Sequence, residues 1–262
     1  MRLSVPDFDN DRLLPAGAAA PADPAKAASM TPAMALALAS NFGSAAQWRS
    51  DVLAQAQALG GGPGWVALVF QPQDGRLVLR GSTPAQAAQP AERPKTLPET
   101  LPESLPETLP KTLPMLALAT PVPGAPASAW ADLLDRIDWA LVYSRYQTAV
   151  HDAGADLGLA AQDIAGRTVL DVRRAGVFEA APSTLPDARW CDPARVGDWS
   201  QQLPSGQAVL VYCVYGHEVG RVTALRLCAA GLDARFLIGG IDGWQTAGRP
   251  LAAKAGPTGA AS

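Results

Sequence analysis

Residues 208–218 read Ala-Val-Leu-Val-Tyr-Cys-Val-Tyr-Gly-His-Glu, and this stretch decides how the C-terminal part of the chain folds. Its first five residues are apolar and prefer extended backbone, which predicts a buried strand. A tight polar loop from Cys213 to Glu218 follows, and a helical pattern begins near Val219. Free N–H groups and the helix dipole at such a junction favour a thiolate, the nucleophilic form of cysteine. We therefore predict sulfur chemistry at Cys213.

Strand-like and helix-like segments alternate on both sides of this loop. This alternation predicts a small α/β domain with a mostly parallel sheet flanked by helices, which we place at residues 158–254. The segments are Thr168–Val172, Val177–Ala180, Val196–Gln202, Ala208–Tyr212, Val219–Ala230 and Ala234–Ile238.

Residues 158–254 resemble a rhodanese domain. The run 169–173 (Val-Leu-Asp-Val-Arg) is similar to the family's first signature strand, and Cys213-x-x-Gly216 to its active-site loop. The run 239–244 (Gly-Gly-Ile-Asp-Gly-Trp), followed by Ala-Gly-Arg-Pro at 247–250, is similar to its closing signature. The resemblance implies a sulfurtransferase that carries sulfur as a persulfide on Cys213. A small-molecule or protein donor would supply this sulfur, and a thiol or cyanide would accept it.

The resemblance also implies a substrate-binding loop after the catalytic cysteine. Its backbone N–H groups can surround a terminal sulfur, and its six-residue length from Cys213 to Glu218 is typical of the family's sulfurtransferases. Many relatives that use thiosulfate carry Lys or Arg inside this loop, whereas Glu218 brings a negative charge here. We therefore expect a persulfide to be a better donor than thiosulfate. The loop residues are Val214, Tyr215, Gly216, His217, Glu218, Val219, Gly220 and Arg221.

Other residues near the loop have supporting interpretations. Asp171 and Arg173 are expected to form a structural pair, and Trp244 to anchor the last helix. Two interpretations of His217 stay open: it lowers the thiol pKa or binds substrate, or it is an exposed loop residue without a role.

Composition excludes several classes of function. The chain has 262 residues, a net charge of −3 and three cysteines, so it has no basic footprint for nucleic acid and no disulfide framework.

We interpret Cys191 as a packing residue and Cys228 as a core residue or, alternatively, a resolving thiol. The N-terminus lacks a secretory signal, and no apolar run reaches membrane-spanning length. We therefore expect a cytoplasmic protein without membrane partners.

Residues 30–153 resemble the C-terminal half of an iron/manganese superoxide dismutase, which implies a small α+β domain. Four runs carry the resemblance: Phe-Gly-Ser at 42–44, Gly-Pro-Gly-Trp-Val-Ala-Leu-Val at 62–69, Pro-Met-Leu-Ala-Leu at 114–118 and Ile-Asp-Trp-Ala at 137–140. We predict three helices: one at 32–39, a second that begins after a capping box at Ser44, and a third at 130–150. Strands are predicted at 65–70, 76–79 and 116–119.

The metal ligands of that family are missing. Ala119 stands where the family has its aspartate and Pro123 where it has a histidine, and Val122 replaces a glutamate. The remaining two histidines belong to an N-terminal helical hairpin, and residues 1–29 contain no histidine. His151 is expected to face solvent. We therefore expect no iron or manganese cofactor and no dismutase activity.

Two other functions stay open: a dismutase whose missing half is supplied in trans, and a non-enzymatic persulfide-binding or redox-sensing module. Loss of the helical hairpin is expected to expose apolar surface, which predicts self-association through the dismutase-like domain or marginal stability.

Three segments are predicted to be disordered or peripheral: 1–29, the Thr-Leu-Pro-Glu repeat loop at 91–114, and the tail at 255–262. The repeat is interpreted as a tolerated surface expansion or as a docking segment for aromatic grooves.

Overall fold

A computed structural model describes residues 30–58, 64–81, 113–120 and 127–254. These residues form an N-terminal unit and a C-terminal unit. The predicted segments 1–29 and 255–262 lie outside the described residues, as does the repeat loop 91–114 except for its last two positions.

The N-terminal unit packs helices against an antiparallel sheet with strand order β2-β1-β3. Its described elements are α1 (Pro32–Phe42), α2 (Ala45–Ala58), β1 (Gly64–Gln71), β2 (Arg76–Gly81), β3 (Leu113–Thr120), α3 (Ala127–Asp135) and α4 (Trp139–Ala153).

Local capping explains where these helices begin. Ser44 Oγ accepts a hydrogen bond from Gln47 N at 2.9 Å, as the predicted capping box requires. The prediction of one helix over 130–150 is wrong, because Asp138 caps a new helix by accepting from Leu141 N at 3.1 Å. Strand β3 begins at Leu113, three residues before the predicted 116 and inside the predicted repeat loop.

Aromatic side chains fill the core between these helices and the sheet. Trp48 contacts Trp139 edge to face, with ring centroids 5.3 Å apart, and Phe70 contacts Tyr146 at 5.8 Å. Such pairs stabilise a core beyond the apolar area that they bury.

The C-terminal unit confirms the predicted α/β fold. Its five-stranded sheet has the order β4-β9-β8-β5-β7, and all neighbouring pairs are parallel. A short antiparallel pair, β6 and β10, lies apart from it. The elements are β4 (Gly158–Leu159), β5 (Thr168–Asp171), α5 (Ala175–Ala180), β6 (Ser183–Thr184), β7 (Arg189–Trp190), α6 (Val196–Trp199), β8 (Ala208–Tyr212), α7 (Glu218–Ala229), β9 (Asp233–Leu237), α8 (Gly240–Thr246) and β10 (Ala252–Ala253).

Helix α7 belongs to the cores of both units. Ala224 and Leu227 are fully buried in the core of the C-terminal unit. Leu225 is buried in the core of the N-terminal unit, and Val222 packs against the same core. The turn between β1 and β2 fits closely here, because a Cβ at Gly75 would lie 2.9 Å from Val222 Cγ2.

Arg226 adds a polar contact between the units. Its Nη2 donates to Asn41 Oδ1 at 2.7 Å, and its Nη1 donates to the carbonyl of Ser40 at 3.3 Å. Asn41 Oδ1 also accepts from Leu77 N at 3.0 Å, so the contact reaches the sheet. Burial lowers the pKa of Arg226.

The expected apolar surface of the N-terminal unit is not seen in the described part of the chain. The large hydrophobic side chains that are exposed there, Tyr215 and Ile238, both belong to the C-terminal unit. Helix α7 covers part of the N-terminal core instead. Self-association stays a prediction, but exposed apolar surface on the described part of the N-terminal unit no longer supports it. None of the described helices is long and apolar enough to cross a bilayer.

We expect Leu225→Ala to lower the free energy of unfolding by roughly 2–4 kcal/mol, because it leaves a cavity in the N-terminal core. Leu227→Ala is the matched control on the same helix, since Leu227 is buried in the other core. Urea denaturation gives the stability loss, and limited proteolysis shows which unit opens. Preferential cleavage within residues 30–153 is expected for Leu225→Ala alone. A stability loss below about 0.5 kcal/mol for Leu225→Ala would contradict the shared core.

Candidate active site

Cys213 lies directly after β8, which is the central strand of the parallel sheet. The neighbouring strand β5 ends at Asp171, so both residues lie at the carboxyl edge of the sheet. Ligands of open parallel sheets bind in the crevice at this edge. Only 6% of Cys213 is exposed, so the loop around it controls access to the sulfur.

Four backbone N–H groups approach the sulfur of Cys213 closely enough to lower its pKa. They belong to Tyr215, Gly216 and His217 in the loop and to Gly220 in the first turn of α7. The Gly220 N–H is one of the groups that a helix start leaves without an intrahelical partner. Four of the seven N–H groups from Val214 to Gly220 thus act on the Cys213 sulfur.

The pKa of Cys213 differs from the sequence-based expectation. Burial raises it, and the four N–H groups only partly offset this effect, so the thiol pKa is above its ordinary value. Desolvation penalises the thiolate more than the loop stabilises it. The loop N–H groups therefore act in the direction expected from the sequence, but burial acts more strongly in the opposite direction.

Helix α8 holds the loop from the other side. Ile241 N donates to the carbonyl of Cys213 and Asp242 N to the carbonyl of Val214, both at 3.0 Å. The free N–H groups at the start of α8 thus bind the carbonyls of the loop, which leaves the N–H groups of the loop free to face the sulfur. This contact explains why the closing signature accompanies the cysteine loop.

Two glycines permit this close approach. Gly216 has φ +70°, and a Cβ there would lie 2.6 Å from the carbonyl oxygen of Leu237. Gly240 has φ +59°, and its Cβ would lie 2.5 Å from the carbonyl oxygen of Cys213. Any side chain at either position would therefore displace the loop. A Cβ at Gly220 would lie 3.4 Å from the Cys213 sulfur.

The structure places Asp171 and Arg173 as a buried pair. Arg173 Nε donates to Asp171 Oδ1 and Oδ2 at 3.0 Å, and Arg173 Nη2 donates to the carbonyl of Ser183 at 2.9 Å. Tyr212 Oη donates to Asp171 Oδ2 at 2.7 Å. Burial and the Asp171 carboxylate raise the pKa of Tyr212. This network fixes the residue that precedes Cys213.

The outer loop residues differ in their exposure to solvent. Tyr215 and His217 are exposed, and their rings lie 5.6 Å apart. Val214 and Val219 are half-buried, and Val219 packs against the core of the C-terminal unit. Arg221 lies over the Phe236 ring at 4.4 Å.

Arg221 also braces the loop, because its Nε donates to the carbonyl of Gly216 at 3.2 Å. Burial lowers the pKa of Arg221, and the negative charge of the Cys213 thiolate acts in the opposite direction. This guanidinium is therefore within electrostatic reach of the sulfur.

Sequence reasoning missed Tyr143. This residue of α4 donates from its Oη to Glu218 Oε1 at 3.0 Å, across 75 positions of sequence. Burial and the Glu218 carboxylate raise the pKa of Tyr143, so its phenol stays protonated and can donate. No local pattern marks such a contact between two units.

The remaining predicted residues are placed as follows. Trp244 is buried, and its Nε1 donates to the carbonyl of Pro250 at 2.9 Å. Cys191 is buried, and burial raises its pKa. Cys228 packs against the core, and its thiol contacts the carbonyl of Ala234 at 3.4 Å. His151 is exposed, as predicted.

The described residues do not fit an iron or manganese site. Ala119 lies in β3, and Pro123 is outside the described residues. Among the described residues, no three His, Cys, Asp or Glu side chains are grouped closely enough to hold a metal ion.

The model of the rhodanese-like domain matches residues 156–247. These residues have the rhodanese-like fold. Structures similar to this chain include a rhodanese-related protein from Thermoplasma volcanium, at 21% identity, covering 37% of this chain and 98% of that one, with a TM-score of 0.34. Another is a thiosulfate sulfurtransferase from Pseudomonas aeruginosa, at 19% identity, covering 37% of this chain and 19% of that one, with a TM-score of 0.33.

The N-terminal part of the chain is similar to a superoxide dismutase [Fe] of Cupriavidus metallidurans. The two are 30% identical over an alignment of 135 positions that covers 47% of this chain. The chain spans 56% of the length of that relative.

We expect Gly240→Ala to distort the loop of the rhodanese-like domain and to cost about 1–3 kcal/mol, because the new methyl group would meet the Cys213 carbonyl. Gly176→Ala is the matched control, since a Cβ at Gly176 meets nothing within 4 Å. Thermal denaturation compares the stabilities of the two variants, and the rate of Cys213 alkylation shows whether the loop keeps its conformation. Equal stabilities and equal alkylation rates of the two variants would show that the close approach at Gly240 affects neither the stability nor the loop.

The raised pKa of Cys213 predicts the pH dependence of its alkylation. Because the thiol stays protonated until the pH passes its raised pKa, the rate should still climb through pH 9.0, the ordinary thiol value. Intact mass spectrometry with iodoacetamide measures this rate, and Cys213→Ser identifies the background from the other cysteines. A plateau well below pH 9.0 would mean that the N–H groups outweigh burial.

Proposed function

We propose that this protein is a sulfurtransferase that carries a sulfane sulfur as a persulfide on Cys213. The observation that carries the proposal is the convergence of four N–H donors on a single buried sulfur. The match of residues 156–247 to the rhodanese-like domain supports it. The proposed compartment is the reducing cytoplasm, because all three cysteines are free thiols.

The first step loads Cys213. The thiolate attacks the outer sulfur of a donor, and the donor's S–S bond breaks with its electron pair leaving on the donor fragment. The new bond joins the Cys213 sulfur to the transferred sulfur, which carries the negative charge. N–H groups already fixed by the loop and by α7 can hold this charge without reorganising.

The second step unloads Cys213. An acceptor thiolate attacks the outer sulfur, and the bond between the two sulfurs breaks with its electron pair returning to Cys213. The products are an acceptor persulfide and the Cys213 thiolate, so the cycle consumes no oxidant or reductant. Cyanide as acceptor would leave as thiocyanate by the same displacement.

The charge at the loop favours a persulfide over thiosulfate as donor. Glu218 begins α7, and its carboxylate is held beside the loop by Tyr143. A dianionic donor would be repelled by this carboxylate, although Arg221, which is within electrostatic reach of the sulfur, would offset part of that repulsion. A monoanionic persulfide meets less repulsion.

The N-terminal unit supports the loop in this proposal, and metal-dependent dismutation is not part of it. The contact from Tyr143 to Glu218 and the packing of Leu225 tie α7 to this unit. Its proposed role is to fix the helix on which the sulfur site is built.

We expect the full chain to gain one sulfur atom when it is incubated with a small-molecule persulfide, and to lose it when a thiol is added. Intact mass spectrometry measures both steps. Cys213→Ser should gain no sulfur, because the only loaded position is removed, whereas Cys228→Ser should load normally. Thiosulfate should load the protein at least about tenfold more slowly than the persulfide.

Two results would contradict the proposed sulfur transfer, and a third would contradict the proposed donor preference. Sulfur loading that persists in Cys213→Ser would move the chemistry to another residue. Loading without transfer to any acceptor would indicate a persulfide sensor instead of an enzyme. Thiosulfate turnover as fast as persulfide turnover would overturn the assigned effect of Glu218.

A further inference from the structure

The Arg221 guanidinium contacts the cysteine loop and both units at once. Its Nε donates to the carbonyl of Gly216 at 3.2 Å, and its Nη1 donates to the carbonyl of His151 at 3.4 Å. The guanidinium also lies over the Phe236 ring, 4.4 Å from its centroid. Because these contacts come from the loop, from α4 and from β9, the planar group is held in one direction.

The contact with His151 ties Arg221 to the end of α4. The His151 carbonyl belongs to the last turn of that helix, where carbonyls lack an intrahelical partner and the helix dipole favours a cation. The Arg221 side chain passes closely by Gly154, since a Cβ there would lie 3.3 Å from Arg221 Cβ. The N-terminal unit therefore helps to hold a cation that belongs to the C-terminal unit.

The contact with Gly216 leads towards the reacting sulfur. The Gly216 carbonyl and the His217 N–H belong to the same peptide unit, and this N–H approaches Cys213 closely enough to lower its pKa. Arg221 thus donates to one end of a peptide whose other end faces the sulfur. Hydrogen bonds in such a chain polarise one another, so a cation at the carbonyl makes the N–H a stronger donor.

The loop contains a second peptide with a neutral partner. The Tyr215 N–H also approaches the sulfur. The carbonyl of its peptide is that of Val214, which accepts from the backbone N–H of Asp242 at 3.0 Å. Both peptides therefore have a donor at the oxygen and an N–H at the sulfur. They differ in the donor, which is an uncharged amide at Val214 and a guanidinium at Gly216.

We propose that Arg221 is a positioning residue for sulfur transfer, which orients and polarises the peptide between Gly216 and His217 so that the His217 N–H binds the sulfur on Cys213. Its part in transfer rests on the proposed function. Its action on the peptide does not, and can be measured in the unloaded protein. The N-terminal unit acts on the sulfur through the same chain, because the end of α4 helps to fix Arg221.

Three variants of the full chain separate charge from shape. Arg221→Met keeps a long side chain and removes the charge, and Arg221→Lys keeps the charge. Arg195→Met is the matched control, because Arg195 is an exposed arginine of the same unit whose Nε contacts Asp198. NMR gives the backbone amide shifts of the unloaded proteins, and intact mass spectrometry gives the rate of loading by a small-molecule persulfide.

We expect Arg221→Met to move the His217 amide proton upfield, because its hydrogen bond to the sulfur weakens. The Tyr215 amide proton should move less, since its peptide keeps the Asp242 donor. Sulfur loading should slow at least about fivefold, because a preorganised donor to the charged sulfur is weakened. Arg221→Lys should lie between Arg221→Met and the wild type in both measurements, and Arg195→Met should match the wild type.

The outcomes distinguish this inference from the proposed function. If the wild type takes up no sulfur, the proposed function fails, and the amide shifts alone decide whether Arg221 acts on the peptide. If the wild type is loaded but Arg221→Met moves the His217 and Tyr215 amides equally, the function stands and the assigned role of Arg221 is overturned. Equal loading rates for Arg221→Met and Arg221→Lys would also overturn it, because a loss without charge dependence means that Arg221 only supports the fold.

Discussion

Helix α7 is buried on two sides, and the position of the cysteine loop depends on this. One side packs on the parallel sheet through Ala224 and Leu227, and the other enters the N-terminal core through Leu225. The start of the same helix supplies the Gly220 N–H to Cys213. Because a helix fixed on two sides has little freedom to tilt, its first turn can hold a donor at a constant distance from the sulfur. Packing contacts far from the loop thus contribute to the electrostatic environment of the Cys213 sulfur.

Two opposing effects act on the sulfur. Burial raises the pKa of Cys213, whereas the converging N–H groups lower it, and burial prevails in the free protein. The same N–H groups are directed at the place where a transferred sulfur would carry negative charge. Groups that are already oriented stabilise such a charge without further cost at the moment of reaction. Under the proposed function, a site of this kind would suit a bound persulfide better than a free thiolate.

Sequence reasoning succeeded where the deciding contacts are local. The strand, loop and helix around Cys213, the Ser44 cap and the Asp171–Arg173 pair each depend on residues close in sequence. It failed where the cause is collective or distant. The pKa direction of Cys213 depends on total burial, and the Tyr143–Glu218 hydrogen bond joins two units. The break before α4 was readable in principle, since Asp138 is a good helix cap.

Under the proposed function, the four N–H groups around Cys213 bind a transferred sulfur. Backbone amide chemical shifts measured by NMR before and after sulfur loading test this binding. We expect the largest shifts on Tyr215, Gly216, His217 and Gly220, whose N–H groups lower the pKa of Cys213, and we expect them to reverse when a thiol acceptor is added. Loading that leaves these four amides unchanged, with the shifts concentrated elsewhere in the chain, would contradict it.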